Sequence, residues 1–211
     1  MRHLILLFSL LMLASCTSVE DPWLDGVSTG ATTGSAAAGG INRELSPQLA
    51  AADIPAIGAT PIAVRQLSRE DGSVQQIVYP NTADIAGENM LEVREVVAGS
   101  SAGRKAPTSG ALSREMRAAM PGVVMDPTPI LGQNGYGPYG AARGTLPSGG
   151  GCVYAWQMVK RPAVAFGETG KVLQVRLRYC DADRKPEELV SLLSSLTLTA
   201  GRSMAQMRSQ Y

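Results

Sequence analysis

The segments Cys152-Val-Tyr-Ala-Trp-Gln-Met-Val159 and Lys171-Val-Leu-Gln-Val-Arg-Leu-Arg-Tyr-Cys180 decide the fold of this 211-residue chain. The first is apolar on both faces, as is typical of a central β-strand. The second alternates, so its apolar side chains are predicted to point inward and its polar ones, including Arg176 and Arg178, outward. The Gly-rich stretch at residues 167–170 favours a turn, and the two strands are therefore predicted to form a hairpin.

Both internal cysteines, Cys152 and Cys180, fall at the open end of this hairpin. An exported chain folds in an oxidising compartment, where a disulfide is the default expectation. The bridge would close a loop of about 29 residues and contribute about 3 to 4 kcal/mol in the chain-entropy description. Two buried free thiols are the alternative. A redox-active pair is disfavoured because the spacing is unlike Cys-x-x-Cys.

Further strands and helices are predicted on either side of the hairpin. Residues 62–67 and 74–79, separated by an Asp-Gly turn, predict a second hairpin, and residues 89–97 alternate as another strand. Residues 111–120 predict a short helix, and a second helix begins at Pro186 and carries leucines at helical spacing. The predicted fold class is α+β: a mostly antiparallel sheet with two short helices, preceded by a disordered, lipid-anchored linker.

Composition divides the chain into four regions. Residues 1–15 read as a lipoprotein signal peptide, and residues 16–60, rich in Ala, Gly, Ser and Thr, are predicted to be a flexible tether because they bury too little apolar surface to order. Residues 61–200 are predicted to form a periplasmic α+β domain, and residues 201–211 a C-terminal tail. Within the domain, the Gly- and Pro-rich residues 127–151 are predicted to be a loop.

The N-terminus predicts export and lipidation. A basic start, a ten-residue stretch that is apolar apart from Ser9, and a small-residue end are typical of a secretory signal that is too short to span a bilayer permanently. Leu13-Ala14-Ser15-Cys16 resembles the bacterial lipobox, in which the cysteine becomes the mature N-terminus and carries a diacylglycerol. Residue 17 is Thr rather than the Asp that retains lipoproteins in the inner membrane of enteric bacteria. We therefore expect Cys16 to anchor the chain to the outer membrane, facing the periplasm; an ordinary signal peptide is the alternative.

Composition also limits the chemistry. The only histidine, His3, leaves with the signal peptide, so the mature chain cannot build a Ser-His-Asp triad or a His-ligated zinc site. We expect no catalytic residue, no metal and no cofactor. A formal net charge of +1 gives no electrostatic basis for binding nucleic acid. A glycan hydrolase would need a pair of carboxylates, whereas the acidic residues here lie at turns or beside opposite charges.

Four aromatic residues are candidates for contact with a glycan or a protein partner: Tyr136, Tyr139, Tyr154 and Trp156. Aromatic faces beside flexible Gly-rich segments suit stacking on sugar rings. For Tyr154 and Trp156, two apart on one strand, a place in the core is the alternative, and it is favoured for Trp156. The stretch Gly135-Tyr-Gly-Pro-Tyr-Gly140 matches G-x-G-x-x-G, but Pro removes a backbone donor and no helix follows, so a nucleotide site is not predicted.

Several segments together resemble one family. With the lipobox, these are Gly87-Glu-Asn-Met-Leu-Glu-Val-Arg94, Asn134-Gly-Tyr-Gly-Pro-Tyr-Gly-Ala141, Cys152-Val-Tyr-Ala-Trp-Gln157 and Arg176-Leu-Arg-Tyr-Cys180. They are similar to the BcsN family of alphaproteobacterial cellulose biosynthesis lipoproteins over about residues 60–200.

The resemblance brings no catalytic residue with it. It implies a non-enzymatic outer-membrane lipoprotein that supports cellulose biosynthesis or export. Its expected partners are the membrane, through the N-terminal lipid, and envelope proteins of polysaccharide synthesis or export. Glucan is a further candidate ligand, and nucleic acid is not expected. The alternative is a structural accessory lipoprotein of another envelope assembly, such as a pilus or a secretion system.

Overall fold

The computed structural model describes residues 42–69, 72–100, 103, 106–126, 128–161 and 170–199. The predicted signal peptide, Cys16 and the C-terminal tail lie outside the described residues, as do the first part of the tether and most of the turn at 167–170.

The described chain is built mainly of antiparallel β-strands. Nine strands form one sheet in the order β1-β3-β4-β5-β10-β9-β8-β6, with β7 paired to β8 beside β6, and β2 pairs with β11 in a separate two-stranded sheet. The strands are β1 (Asn42–Leu45), β2 (Ala52–Asp53), β3 (Ala63–Arg69), β4 (Gly72–Tyr79), β5 (Asn89–Val97), β6 (Val124–Met125), β7 (Ile130–Asn134), β8 (Gly137–Thr145), β9 (Gly151–Arg161), β10 (Lys171–Asp181) and β11 (Thr197–Leu198).

Among the described residues, the helices α1 (Ser109–Ala119) and α2 (Pro186–Leu189) flank the sheet, which confirms the predicted α+β fold class. The side chain of Thr108 caps α1 by accepting a hydrogen bond from the backbone N–H of Ala111. The leucine-rich helix is shorter than predicted, because a 3-10 turn at Leu192–Ser195 follows α2. The hydroxyl of Ser191 donates to the Glu188 carbonyl there, a local bond that competes with continued helix.

The predicted hairpins are confirmed. β3 and β4 pair from Arg69 opposite Gly72, and β9 and β10 pair along their full length with Cys180 opposite Cys152. The predicted strand at residues 89–97 has the bounds of β5.

The predicted loop at residues 127–151 is wrong, because that region contains β7 and β8. At two of its glycines an aromatic ring covers the backbone. A Cβ on Gly132 would lie 2.3 Å from Cζ of Tyr139, and a Cβ on Gly140 would lie 2.5 Å from the indole of Trp156. Packing therefore selects Gly here, although Gly-rich composition normally indicates a loop.

The folded part begins before the predicted boundary at residue 61. Ordered strand structure starts at Asn42, and Ile54 is only 1% exposed. The side-chain amide of Gln75 on β4 accepts a hydrogen bond from the backbone N–H of Ala51. A few well-placed apolar and polar contacts thus hold a segment whose average composition is that of a tether.

Other elements pack on both faces of the large sheet. On one face, residues 52–57 and 189–196 pack on strand residues such as Val175 and Leu91. On the other, which we call the α1 face, Leu112 and Met116 of α1 pack near the paired cysteines. The apolar side of β10 is therefore buried as predicted. The prediction that its polar side points to solvent is wrong, because α1 covers it.

Candidate functional site

A buried charge cluster lies between α1 and the sheet. Nε of Arg176 on β10 lies 2.9 Å from Oε2 of Glu115 on α1, and the Tyr154 hydroxyl of β9 donates to the same oxygen at 2.8 Å. The two charged side chains are only 9% and 8% exposed. Instead of facing water, Arg176 neutralises a helix carboxylate 61 positions away in the chain. The three side chains fix α1 on the sheet.

The environment of Tyr154 keeps its hydroxyl protonated. Burial raises the pKa of this phenol well above its usual value, and the negative charge of Glu115 raises that pKa further, while Arg176 acts in the opposite direction. A protonated phenol is a donor, so Tyr154 serves as the second hydrogen-bond partner of the carboxylate. The geometry describes a structural tie between helix and sheet.

Alkaline pH is expected to weaken this tie. Because the folded-state pKa of Tyr154 is raised, its stabilising contribution is complete below the ordinary phenol pKa and is lost as pH rises through the folded-state value. The urea midpoint of the wild type should fall between pH 8 and pH 11, and it should fall less in Tyr154→Phe. The control is Tyr136→Phe, whose parent ring is 37% exposed; an equal fall in Tyr154→Phe and wild type would contradict this expectation.

Arg178, the second arginine predicted to face solvent, is also buried, at 5% exposure. Its guanidinium donates to the backbone carbonyls of Ala119, Glu88 and Ala86. Burial lowers the pKa of Arg178, and the charge of Glu88 partly opposes this. Arg178 thereby joins the end of α1 to the connection between β4 and β5, which is a structural role.

The predicted disulfide is present. Cys152 and Cys180 are bonded with their Cα atoms 4.1 Å apart, and neither residue is exposed. Sγ of Cys180 lies 3.7 Å from Sδ of Met120, at the end of α1. The bridge joins β9 to β10 beneath the helix and is inaccessible to a large thiol reagent.

The four candidate aromatic residues do not form one surface. Tyr139 and Tyr154 are buried in separate cores, at 6% and 5% exposure. Tyr136 lies in the turn between β7 and β8, where its hydroxyl accepts a hydrogen bond from the N–H of Leu198. Trp156 is partly exposed beside Tyr154, with ring centroids 6.4 Å apart. Burial thus leaves Trp156 and Tyr136 as the accessible aromatic rings of this set.

Trp156 lies in a row across three neighbouring strands. Leu131 of β7 is opposite Gly140 of β8, which is opposite Trp156 of β9. The indole covers the backbone of Gly140, and Leu131 is 80% exposed. Sequence reasoning named Trp156 among four candidates but favoured a place in the core for it. It missed Leu131 and the role of Gly140, because only the strand register brings these positions together.

The G-x-G-x-x-G match at residues 135–140 forms the turn between β7 and β8 and the first part of β8. A dinucleotide fingerprint requires a helix after the loop, so that the helix N-terminus meets the pyrophosphate. A strand follows here, and the motif has no such role.

The described residues contain neither a cluster of potential metal ligands nor a helix suited to crossing a membrane. No group of three or more His, Cys, Asp or Glu side chains is placed to hold a metal ion within them. Among the helices of the same part of the chain, none has both the length and the apolar composition that crossing a bilayer requires.

Comparison with known proteins gives one match. The family profile described as "Cellulose biosynthesis protein BcsN" matches residues 52–210, which is most of the chain. The match begins at Ala52 of β2 and includes every later element described above. No curated protein and no solved structure matches the sequence.

Proposed function

The chain belongs to the BcsN family of cellulose biosynthesis proteins, and from this membership we propose that it is a non-enzymatic outer-membrane lipoprotein that supports the synthesis or export of cellulose. The family match is the observation that carries the proposal, because it extends over almost the whole folded domain. The expected partners are envelope proteins of the cellulose synthesis or export machinery.

An accessory role suits the way the buried charged groups are used. Glu115 and Arg176 neutralise each other and hold α1 on the sheet, and Arg178 bonds to backbone carbonyls. The sole histidine, His3, lies in the predicted signal peptide. These buried groups stabilise the fold. We therefore expect the protein to work by binding partners at the surface of the domain.

The predicted anchor orients the domain. Cys16 would hold the lipid, and the chain enters the sheet at β1, which is the edge strand at one end of the order. Trp156 on β9 lies five strand positions from β1, a distance of about 24 Å at the usual interstrand spacing. Anchoring at the N-terminus would therefore leave the opposite edge of the sheet free for contact with partners or polymer.

Deleting the gene in a cellulose-producing strain tests the proposal. We expect loss of cellulose staining, restored by the wild-type gene and by Ser18→Ala, a control outside the lipobox. Cys16→Ser should leave the protein in the aqueous phase on detergent partitioning and should stain like the deletion strain, because two acyl chains supply the membrane affinity. Unchanged cellulose after deletion would contradict the proposal. Crosslinked capture of pilus or secretion proteins in place of cellulose components would favour the alternative assembly.

A further inference from the structure

An uncharged surface lies on the α1 face at the edge of the sheet remote from β1. Its centre is the row of Leu131, Gly140 and Trp156, and the paired residues Gln133 and Pro138 continue it along β7 and β8. We call these five residues the Trp156 surface. None of them is charged, although 18% of the residues of the chain are.

The indole of Trp156 is positioned to stack with a ligand. One of its faces covers Gly140, where a Cβ would lie 2.5 Å from Cε2 and Cζ2. The ring also packs against the core of the α1 face beside Tyr154, and it remains partly exposed. Within the described residues, the indole N–H donates to no protein acceptor. Among the described residues, a partly exposed aromatic ring and an indole N–H without a protein acceptor therefore lie side by side.

The extent of the surface limits the size of its ligand. From β7 to β9 it spans two interstrand distances, about 10 Å. The next position in the same row is Arg176, whose guanidinium is engaged with Glu115. On the other side, Leu131 is 80% exposed and forms the outer end. A ligand segment about 10 Å long, apolar on one face and uncharged, would match this area.

We propose that the Trp156 surface binds a β-linked glucan chain, with a glucose ring stacked on the indole. The equatorial hydroxyls of β-linked glucose leave C–H groups on both faces of the ring, and these faces pack against aromatic rings. The hydroxyls at the ring edge can accept the indole N–H. Glucan is a neutral polymer and needs no charged partner, and the Trp156 surface has no charged residue. This inference rests on the proposed function in cellulose biosynthesis and assigns a ligand to one surface of the domain.

Tryptophan fluorescence of the full mature chain in detergent tests the proposal. The chain has two tryptophans, so Trp23→Phe leaves Trp156 as the single reporter. We expect cellohexaose to change its emission in a saturable manner and maltohexaose, the α-linked control, to leave it unchanged. No emission change with cellohexaose, or an equal change with maltohexaose, would overturn the proposal.

Retention on insoluble cellulose provides the mutational test. Trp156→Ala should bind about tenfold more weakly, as expected when an aromatic contact at the centre of an interface is removed. Leu131→Ala changes an exposed side chain and should fold normally but bind about threefold more weakly. The matched control is Ile62→Ala, an exposed apolar residue at 63% on the far side of the sheet order, which should bind like the wild type.

The failures of the two proposals can be distinguished. Equal retention of wild type, Trp156→Ala and Leu131→Ala would overturn the glucan site, even if the deletion strain lacks cellulose. Saturable cellohexaose binding at Trp156 would support the site, even if deletion leaves cellulose unchanged and the proposed function fails.

Discussion

Replacing Arg176 with methionine is expected to lower the free energy of unfolding by about 3 to 5 kcal/mol, the usual cost of removing one partner from a buried ion pair. Glu115 would be left beneath α1 with the Tyr154 hydroxyl as its hydrogen-bond donor, and its side chain is 8% exposed. Urea denaturation followed by circular dichroism measures the change.

Two further variants show whether burial is the cause. Arg176→Met combined with Glu115→Leu removes both charges, and replacing a whole buried pair with apolar side chains is often close to neutral. The double variant should therefore recover most of the loss. Arg143→Met breaks a pair with Glu187 whose side chains are 38% and 62% exposed, and it should cost about 1 kcal/mol or less. If Arg176→Met cost no more than Arg143→Met, the buried pair would not hold the helix.

Removing the disulfide should have a comparable effect. Cys152→Ala with Cys180→Ala is expected to cost about 2 to 5 kcal/mol, because the reduced chain gains conformational freedom in its unfolded state. Both residues are completely buried, so alanine is preferable to serine, whose hydroxyl would need a partner. Denaturant unfolding of oxidised wild type and double variant gives the difference.

Cys16→Ser is the control for this measurement, since it removes a cysteine outside the bridge. It should leave the free energy of unfolding unchanged. Labelling the denatured, unreduced Cys16→Ser protein with a thiol reagent should find no free thiol after export. Stoichiometric labelling of Cys152 would show that the bridge does not form in the cell, and the stability difference would then vanish.

Much of the sheet could be predicted because strand alternation is a local property. The alternation in β5 and β10 and the Asp-Gly turn before β4 each depend on a few neighbouring residues. β9 and β10 lie close together in the sequence, so their pairing as a hairpin could be predicted. That pairing in turn places Cys152 opposite Cys180. By contrast, β7 and β8 could not be predicted, because their Gly-rich composition indicates a loop. Only the structure shows that their glycines leave room for the rings of Tyr139 and Trp156.

The candidate site was only partly predictable. The sequence identified Trp156 as one of four aromatic candidates and favoured a place in the core for it, whereas the structure buries Tyr139 and Tyr154 and leaves Trp156 partly exposed. Leu131 joins Trp156 through two successive strand pairings. Such registers depend on the whole sheet, so no local pattern identifies the surface.

The sequence by itself determined the antiparallel strands, the cysteine pair and the likeness to a cellulose biosynthesis family. The tertiary structure decided which faces meet water. Alternation along β10 gives two faces but cannot tell a solvated polar face from one covered by a helix, because that depends on a partner distant in the chain. Glu115, 61 positions from Arg176, supplies the compensating charge that makes burial of the arginine tolerable.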